Sequence, residues 1–333
     1  MVVFLRTLGL KLRMLLVVTL MFALINALIA VLMYLVGIEI PLLYLAVAVM
    51  VMAIQYILGP RTVDFVMKVR YISPHENPRL YNIVARVAAR AGVPMPRVGI
   101  SDISVPNAFA YGRTMRGARV CVTRPLLEML SEDELEAVIG HEIGHIKHRD
   151  MLIMTMLSVI PLMCYYIYLS TIFFGYSNRE RGPAALLIGL GALVMYYVTE
   201  LILLYLSRIR EYYADARSVE LTGRPEVMAT ALYKLARYNV ARKEMLGEEV
   251  KKLEYIKAFL AVSPSYAVSK ELRLLMEADI NRDGRLDSYE LLLLKERAKK
   301  AIGLGSRIAE IFSTHPNILK RIVRLADYIY GTR

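Results

Sequence analysis

Residues 140–149 read GHEIGHIKHR, and this stretch decides how the rest of the chain is interpreted. His141 and His145 are four residues apart, so on a helix their imidazoles lie on one face and can bind a single metal ion. Glu142 follows the first histidine, where its carboxylate can take a proton from a water at the metal. The stretch therefore predicts two zinc ligands and a general base. The alternative, a helix that carries these residues by chance, is a rare event in a chain with five histidines.

A helix start signal precedes the motif. Ser131 and Glu134 have the S-x-x-E spacing of a capping box, and the apolar residues Leu135, Val138 and Ile139 follow at helical spacing. We therefore expect the motif to lie on a helix.

The composition points to a chain that is part membrane and part soluble. Of its 333 residues, 56% are hydrophobic and 22% are charged, and the mean hydropathy is +0.43. This is too apolar for an ordinary soluble enzyme and too charged for a bundle wholly inside lipid. The net charge of +12 comes from basic residues beside apolar runs. That distribution favours membrane topology over nucleic-acid binding.

Four apolar runs are long enough to cross a bilayer, at 14–38, 42–59, 151–176 and 184–206. The first run is too long for a signal peptide and has no small-residue cleavage site after it, which favours an uncleaved hairpin. Lysine and arginine flank the first pair of runs on both sides, so we expect both of its ends to be cytosolic. The predicted layout is a hairpin at 1–61, a second at 151–206, and a cytosolic domain in two parts, 62–150 and 207–333.

The first part of that domain mixes helix and strand. The pattern predicts a helix within 74–92, a strand at 98–101, and a hairpin of two strands at 108–112 and 118–123. A strand just ahead of the metal helix can bind an extended peptide by strand addition, and its candidate substrate contacts are Asn107, Ala108 and Phe109. The alternative is an edge strand that binds no ligand.

Catalytic zinc usually takes three protein ligands, so a third must lie outside the motif. The nearest acids are Asp150, Glu200, Glu211, Asp215 and Glu220. Their positions in the sequence do not choose among them. Glu200 lies inside the fourth apolar run, where an acid is a functional candidate or reaches water near the membrane surface.

Several sequence segments together resemble one known family. These are HEIGHIKHRD at 141–150 and REYYADA at 210–216, with NPRLYNIVARVAARAGVPMP at 77–96, VPNAFAYG at 105–112 and STHPNILKRI at 313–322. They are similar to the HtpX family of membrane-bound zinc endopeptidases. The resemblance covers most of the chain from about residue 74 to 217 and returns near the C-terminus.

The resemblance implies a role for each matching position. His141 and His145 would bind one catalytic zinc, Glu142 would be the general base, and Glu211 would be the third ligand. Asp215 would orient a ligand histidine, and Asp150 would have a similar role. A histidine at the position of His315 would stabilise an oxyanion, although a capping or packing role suits it equally well.

The family also implies a fold and a task. We expect a mainly α integral membrane protein of the cell membrane, with four transmembrane helices and a cytosolic α+β zincin-like protease domain. Its substrates would be misfolded or damaged membrane proteins, cut in quality control and stress response. One rival is a selective processing peptidase resembling the CAAX prenyl-peptidases, which have more spans. The other rival is a non-catalytic, calcium-responsive membrane scaffold. The sequence does not determine the oligomeric state of the chain.

One segment departs from the family pattern. Residues 279–290 read DINRDGRLDSYE and fit an EF-hand loop, with Gly284 at the turn. The candidate calcium ligands are Asp279, Asn281, Asp283, Arg285 through its carbonyl, Asp287 and Glu290. Helical spacing on both sides completes a helix-loop-helix insertion. The alternative is a polar turn without useful affinity.

EF-hands commonly act in pairs, and the sequence shows no second loop of this kind. Dimerisation through the single loop, calcium-gated activity and structural bracing are therefore three open roles for the insertion.

Overall fold

The computed structural model describes residues 41–175, 182–246, 270–301 and 310–329 of the chain. The first predicted span, 14–38, lies outside these residues. The chain divides into two compact units. Of the described residues, unit 1 comprises 41–58, 153–175, 182–206 and 311–313, and unit 2 comprises 59–152, 207–246, 270–301, 310 and 314–329.

Helices dominate the described residues. The helices are α1 (Pro41–Val66), α2 (Pro78–Ala91), α3 (Arg124–Met129), α4 (Glu132–Lys147), α5 (Asp150–Leu157), α6 (Val159–Gly175), α7 (Gly182–Thr222), α8 (Pro225–Leu246), α9 (Lys270–Met276), α10 (Ser288–Ala301) and α11 (Ile318–Ala326). The strands are β1 (Val69–Tyr71), β2 (Arg97–Ser101), β3 (Ala108–Tyr111) and β4 (Arg119–Thr123).

Unit 1 contains the long apolar helices. Two helical stretches, Asp150–Ile172 and Leu186–Thr222, have the length and composition needed to cross a membrane. The first is divided at Ser158, between α5 and α6, and the second is the single 41-residue helix α7. These two stretches begin at or near the start of the third and fourth predicted spans. Helix α1 covers the second predicted span and continues to Val66.

The apolar part of α7 ends where its sequence becomes charged. Large side chains such as Leu187 and Val194 are 71% and 61% exposed, as lipid-facing residues would be. From Ser207 onward the same helix carries Arg210, Glu211 and Asp215 and belongs to unit 2. One continuous helix therefore leads from the apolar segment into the charged region.

A four-stranded mixed sheet lies in unit 2, in the order β1-β2-β4-β3. Strand β1 is antiparallel to β2, β2 is parallel to β4, and β3 is antiparallel to β4. Strands β3 and β4 occupy the place of the predicted hairpin, and β2 occupies that of the predicted single strand. Strand β1 was not predicted, because three residues are too few to show an alternating pattern. Nor was the pairing of β2 with β4 predicted, since these strands are separated in the chain by β3.

Helix α4 forms as its sequence predicts. The capping box is confirmed, because the Ser131 side chain accepts from the Glu134 N–H and the Glu134 side chain accepts from the Ser131 N–H. Apolar residues of α4, among them Leu135, Ile139 and Ile143, join the main core of unit 2. The helix is therefore packed on several sides, against α2, α8 and β3.

Two glycines let α4 approach α7 closely. A Cβ atom added at Gly140 would lie 3.3 Å from the Cα of Ser218, and one added at Gly144 would lie 3.3 Å from the Cα of Ala214. The Ser218 hydroxyl donates to the carbonyl of Ala137 at 2.6 Å and joins the two helices. Since both glycines lie next to motif residues, this close packing sets the distance between the motif and α7.

We predict that Gly144→Val destabilises the protein, because the added side chain meets the backbone of α7. Overpacking of this kind costs about 1–3 kcal/mol. Thermal unfolding in detergent would show a lower midpoint. Gly191→Val is the matched control, since a Cβ there has open space within 4 Å. Equal midpoints for the two variants would contradict the proposed role of this glycine.

Candidate metal centre

Helices α4 and α7 bring three potential metal ligands together. The ligand atoms of His141, His145 and Glu211 all lie within 4.8 Å of one another. The two histidine Nε2 atoms are 3.2 Å apart, and the Glu211 carboxylate oxygens lie 3.5 Å from His145 Nε2 and 3.7 Å from His141 Nε2. A tetrahedral zinc bonded at its usual distances holds its ligand atoms about 3.3 Å apart. The three side chains therefore fit a zinc ion.

A carboxylate contacts the far nitrogen of each histidine. Asp215 Oδ1 lies 2.9 Å from His141 Nδ1, and Asp150 Oδ2 lies 2.6 Å from His145 Nδ1. A histidine that donates Nδ1–H to a carboxylate keeps its Nε2 lone pair for a metal. Both imidazoles are therefore held in the orientation that a zinc site needs, with Nδ1 as the protonated nitrogen when zinc occupies Nε2. Arg210 Nε lies 3.0 Å from the other oxygen of Asp150 and helps to hold that carboxylate.

Glu211 has a carboxylate oxygen available for a cation. The residue is 7% exposed, and its Oε2 atom is buried without a hydrogen-bond partner. Arg321 Nη1 lies 3.0 Å from this oxygen, in a geometry that does not make a hydrogen bond. Arg321 balances the charge of this oxygen, but the oxygen accepts no hydrogen bond, which is costly for a buried atom unless a metal ion binds it. This oxygen is a second reason to expect a metal here.

Arg321 is a component of the site that the sequence analysis missed. It is 2% exposed, and it donates two hydrogen bonds to Asp215, at 2.8 Å from Nε and 2.6 Å from Nη2. Its guanidinium therefore contacts both Asp215 and Glu211. The bidentate geometry fixes the Asp215 carboxylate, which in turn contacts His141.

The signal for Arg321 was present in the sequence. Ile318, Ile322 and Leu325 form the buried stripe of α11, and Arg321 lies on the same helix face. A charged residue on an apolar face has a buried partner. The partner itself lies 106 residues earlier, so the sequence alone did not identify it.

The charges in the cluster favour anionic carboxylates. Burial alone would raise the pKa of Glu211, but the charges of His315 and Arg321 and a hydrogen bond with His145 lower it well below its usual range. Burial likewise opposes ionisation of Asp215, yet Arg321 and His141 lower its pKa. Burial alone would lower the pKa of His145, but hydrogen bonds with Asp150 and Glu211 raise it to about 10. Metal binding at His145 therefore displaces a proton.

The other predicted residues lie in different settings. Glu142 is 5% exposed in the same helical turn as His141. His315 precedes α11, and its Nδ1 atom lies 3.4 Å from Glu211 Oε1. Glu220 is exposed and pairs with Arg217 at 2.6 Å. Glu200 lies on the unit 1 part of α7 and is not in the ligand group.

The candidate substrate strand lies at an edge of the sheet. Among the residues that the structure describes, β3 pairs only with β4. Asn107 is 1% exposed. Its backbone N–H donates to the Thr123 hydroxyl at 2.8 Å, and its carbonyl accepts the Thr123 N–H at 2.9 Å. Ala108 and Phe109 follow in β3, which packs against α4.

Comparisons with known proteins identify the family of the chain. Residues 74–329 match the family model described as Peptidase family M48. A protein named Protease HtpX homolog from Methanothermobacter thermautotrophicus is 49% identical over 231 residues, which are 69% of this chain and 87% of the relative. Another of that name, from Thermoplasma acidophilum, is 31% identical over 329 residues, which are 96% of this chain and 98% of the relative. The crystal structure of S. mikatae Ste24p matches with a TM-score of 0.45 and 22% identity, covering 67% of this chain and 60% of that one.

We predict that Asp215→Asn weakens zinc binding about 10–100-fold, because His141 loses the carboxylate that orients it. Competition with a chromophoric chelator measures the affinity. Asp133→Asn, an exposed acid of α4 that pairs with Arg224, is the control and should bind zinc normally. Unchanged affinity in Asp215→Asn would show that this carboxylate does not support the site.

We also expect Arg321→Met to destabilise unit 2, because it leaves Asp215 and Glu211 buried without their cation. Removing one partner of a buried ion pair costs about 3–5 kcal/mol. Thermal unfolding with and without zinc would reveal the loss, and the metal-free protein should lose more, since zinc replaces part of the missing charge. Arg324→Met, at an exposed position of the same helix, is the control. A midpoint shift no larger than that of the control would refute the role given to Arg321.

Proposed function

The chain belongs to peptidase family M48, and on that premise we propose that it is a membrane-embedded zinc endopeptidase. The observation that supports this most directly is the group of His141, His145 and Glu211, buried at His141 and Glu211 and partly buried at His145, with a carboxylate on the far nitrogen of each histidine. Two histidines and a glutamate are a ligand set of catalytic zinc that leaves a fourth position for water. The proposed reaction is hydrolysis of peptide bonds.

Each side chain has a proposed part in that reaction. His141, His145 and Glu211 would hold the zinc, which supplies a Lewis acid at the scissile carbonyl. Glu142 takes a proton from the attacking water and passes it to the leaving amine. Asp215 and Asp150 hold the histidines in the required tautomer.

His315 is proposed to stabilise the oxyanion. Its contact with Glu211 at 3.4 Å places the imidazole beside the ligand group, and its side chain is 18% exposed. A partly exposed imidazole next to the ligands can donate a hydrogen bond to a charge that develops on the substrate. A packing histidine would be buried against apolar neighbours, so the observed setting favours the substrate-binding part.

Substrate binding is proposed to occur along β3. Because β3 is an edge strand of the described sheet and packs against α4, an extended peptide can add to the sheet beside the motif. The backbone of Asn107 is already bonded to Thr123. The peptide would therefore pair from Ala108 and Phe109 onward.

The membrane arrangement is likewise proposed. Four spans, at 14–38, 42–59, 151–176 and 184–206, would anchor the chain in the cell membrane with the metal centre on the cytosolic side. Support comes from the two apolar helical stretches and from the lysines and arginines that flank the runs. A peptidase at that surface suits misfolded or damaged membrane proteins as substrates, in protein quality control under stress.

Two rivals make different predictions. A selective processing peptidase similar to the CAAX prenyl-peptidases would use the same metal centre but cut only a modified peptide. A non-catalytic scaffold would need zinc ligands but no base, and Glu142 would then have no task. The proposed reaction uses no side chain of residues 279–290, so calcium has no part in the chemical step.

We predict that Glu142→Gln keeps zinc and loses peptidase activity by about 10²-fold or more, because the amide cannot accept the proton. The assay is cleavage of casein by the detergent-purified, zinc-loaded chain, with zinc content measured for each variant. Glu220→Gln, an exposed acid on α7, is the control and should cut normally. Casein cleavage by Glu142→Gln at the wild-type rate would rule out the proposed base. A zinc-loaded wild type that cuts a prenylated peptide but not casein would favour the processing enzyme.

A further inference from the structure

Residues 279–290, here called the acidic loop, join α9 to α10 in unit 2. Gly284 has a φ of 79°, at the sixth position, where a twelve-residue calcium loop turns sharply. Asp279 Oδ2 accepts the Gly284 N–H at 3.0 Å. The Glu290 carboxylate accepts from the N–H of Ile280 at 2.8 Å and of Asp287 at 3.1 Å. The first and last acids of the loop thus hold its backbone closed.

Both of these acids are buried. Arg237 lies near the loop, with its Nη1 4.0 Å from where a Cβ at Gly284 would be, and it also hydrogen-bonds to Tyr233. Asp279 is 6% exposed and Glu290 is 3% exposed. The Oδ1 atom of Asp279 is buried and has no hydrogen-bond partner. Within the described ranges, neither acid makes an ion pair. Backbone N–H groups satisfy both Glu290 oxygens, but the unpaired oxygen of Asp279 is costly in a buried setting, and a bound cation would compensate for it.

Helix α8 holds the acidic loop through two side chains one turn apart. The Thr230 hydroxyl accepts the Leu286 N–H at 2.9 Å and lies 3.3 Å from the Leu286 carbonyl. Tyr233 donates to Asp279 Oδ2 at 3.2 Å. Leu286 itself is 1% exposed in the core of unit 2. A second loop would pair with this same backbone segment, and here the chain's own helix takes that place.

We propose that the acidic loop binds one calcium ion and that α8 completes the site within a single chain. The side chains of Asp279, Asn281, Asp283, Asp287 and Glu290 and the carbonyl of Arg285 provide the oxygen ligands that calcium prefers. Because Thr230 already satisfies the Leu286 N–H, the loop needs no partner from a second copy. The sequence leaves three roles open for the loop: dimerisation, calcium-gated activity and structural bracing. This geometry favours structural bracing of α8.

Helix α8, which the acidic loop braces, contacts the start of α4. Lys234 is the next residue of α8 after Tyr233, and its ammonium lies 2.8 and 2.9 Å from the two carboxylate oxygens of Glu134. Glu134 is part of the capping box at the start of α4. Calcium therefore fixes the helix that packs against α4, and it stabilises unit 2 without touching the metal centre.

The test uses the full chain in detergent, with zinc restored after calcium is removed. Terbium alone is the first probe, because the chain has no tryptophan and Tyr233 contacts a ligand, so tyrosine-sensitised luminescence reports binding. We expect one terbium site that calcium displaces and millimolar magnesium does not. Calcium should also raise the thermal unfolding midpoint. The absence of sensitised terbium binding in the wild type would overturn the proposal.

Two loop variants and one control locate the site. Glu290→Gln and the exposed Asp283→Ala should each weaken calcium binding at least about tenfold, since each removes a ligand. Asp283 makes no core contact, so this variant tests binding even if Glu290→Gln fails to fold. Glu277→Gln removes an exposed acid just before the loop and should bind calcium normally. Wild-type affinity in Asp283→Ala and Glu290→Gln would place the calcium elsewhere.

A further variant tests whether α8 completes the calcium site. Thr230→Val keeps the shape but removes the hydroxyl, so calcium binding should weaken several-fold while zinc binding is unchanged. The mass of the wild-type particle, measured by light scattering, should be the same with and without calcium. Calcium-dependent dimerisation of the wild type, with Thr230→Val binding calcium normally, would overturn completion of the site within one chain.

Discussion

The metal centre depends on the pairing of Arg321 with Asp215 inside unit 2. Without that guanidinium, the carboxylates of Asp215 and Glu211 would be buried next to each other with histidines in place of a permanent cation to balance their charge. Charged groups are brought into a protein core only when opposite charges and hydrogen bonds compensate for lost hydration. The pair therefore allows α7 to place two acids next to the histidines of α4, and it couples α11, near the C-terminus, to the motif.

The metal centre also depends on the close packing of α4 against α7. Gly140 and Gly144 flank His141 in the motif, and their missing side chains let the backbone of α7 come near. The same segment thus provides both ligands and the surface that brings the third ligand within reach. A substitution at either glycine would change the distance from the histidines to Glu211.

The sequence predicted those parts of the structure that depend on local spacing. The capped helix α4 and the helix α2 follow from short-range patterns and capping residues. Strand β1 and the parallel pairing of β2 with β4 depend on contacts between distant segments, and no local pattern reveals them. Arg321 was visible as a charge on an apolar face, but its partners on α7 became known only from the structure. The sequence also left the third ligand open among five acids until the family resemblance pointed to Glu211.

The central claim is that two histidines and one glutamate, held by buried charges, form a zinc site. Zinc K-edge X-ray absorption of the purified wild-type chain measures this most directly. We expect one zinc per chain with only nitrogen and oxygen neighbours, at about 2.0–2.2 Å, two of them imidazoles. Sulfur neighbours at about 2.3 Å would assign the metal to Cys121 or Cys164 and contradict the account. Unaltered zinc content in a variant without both histidines would contradict it equally.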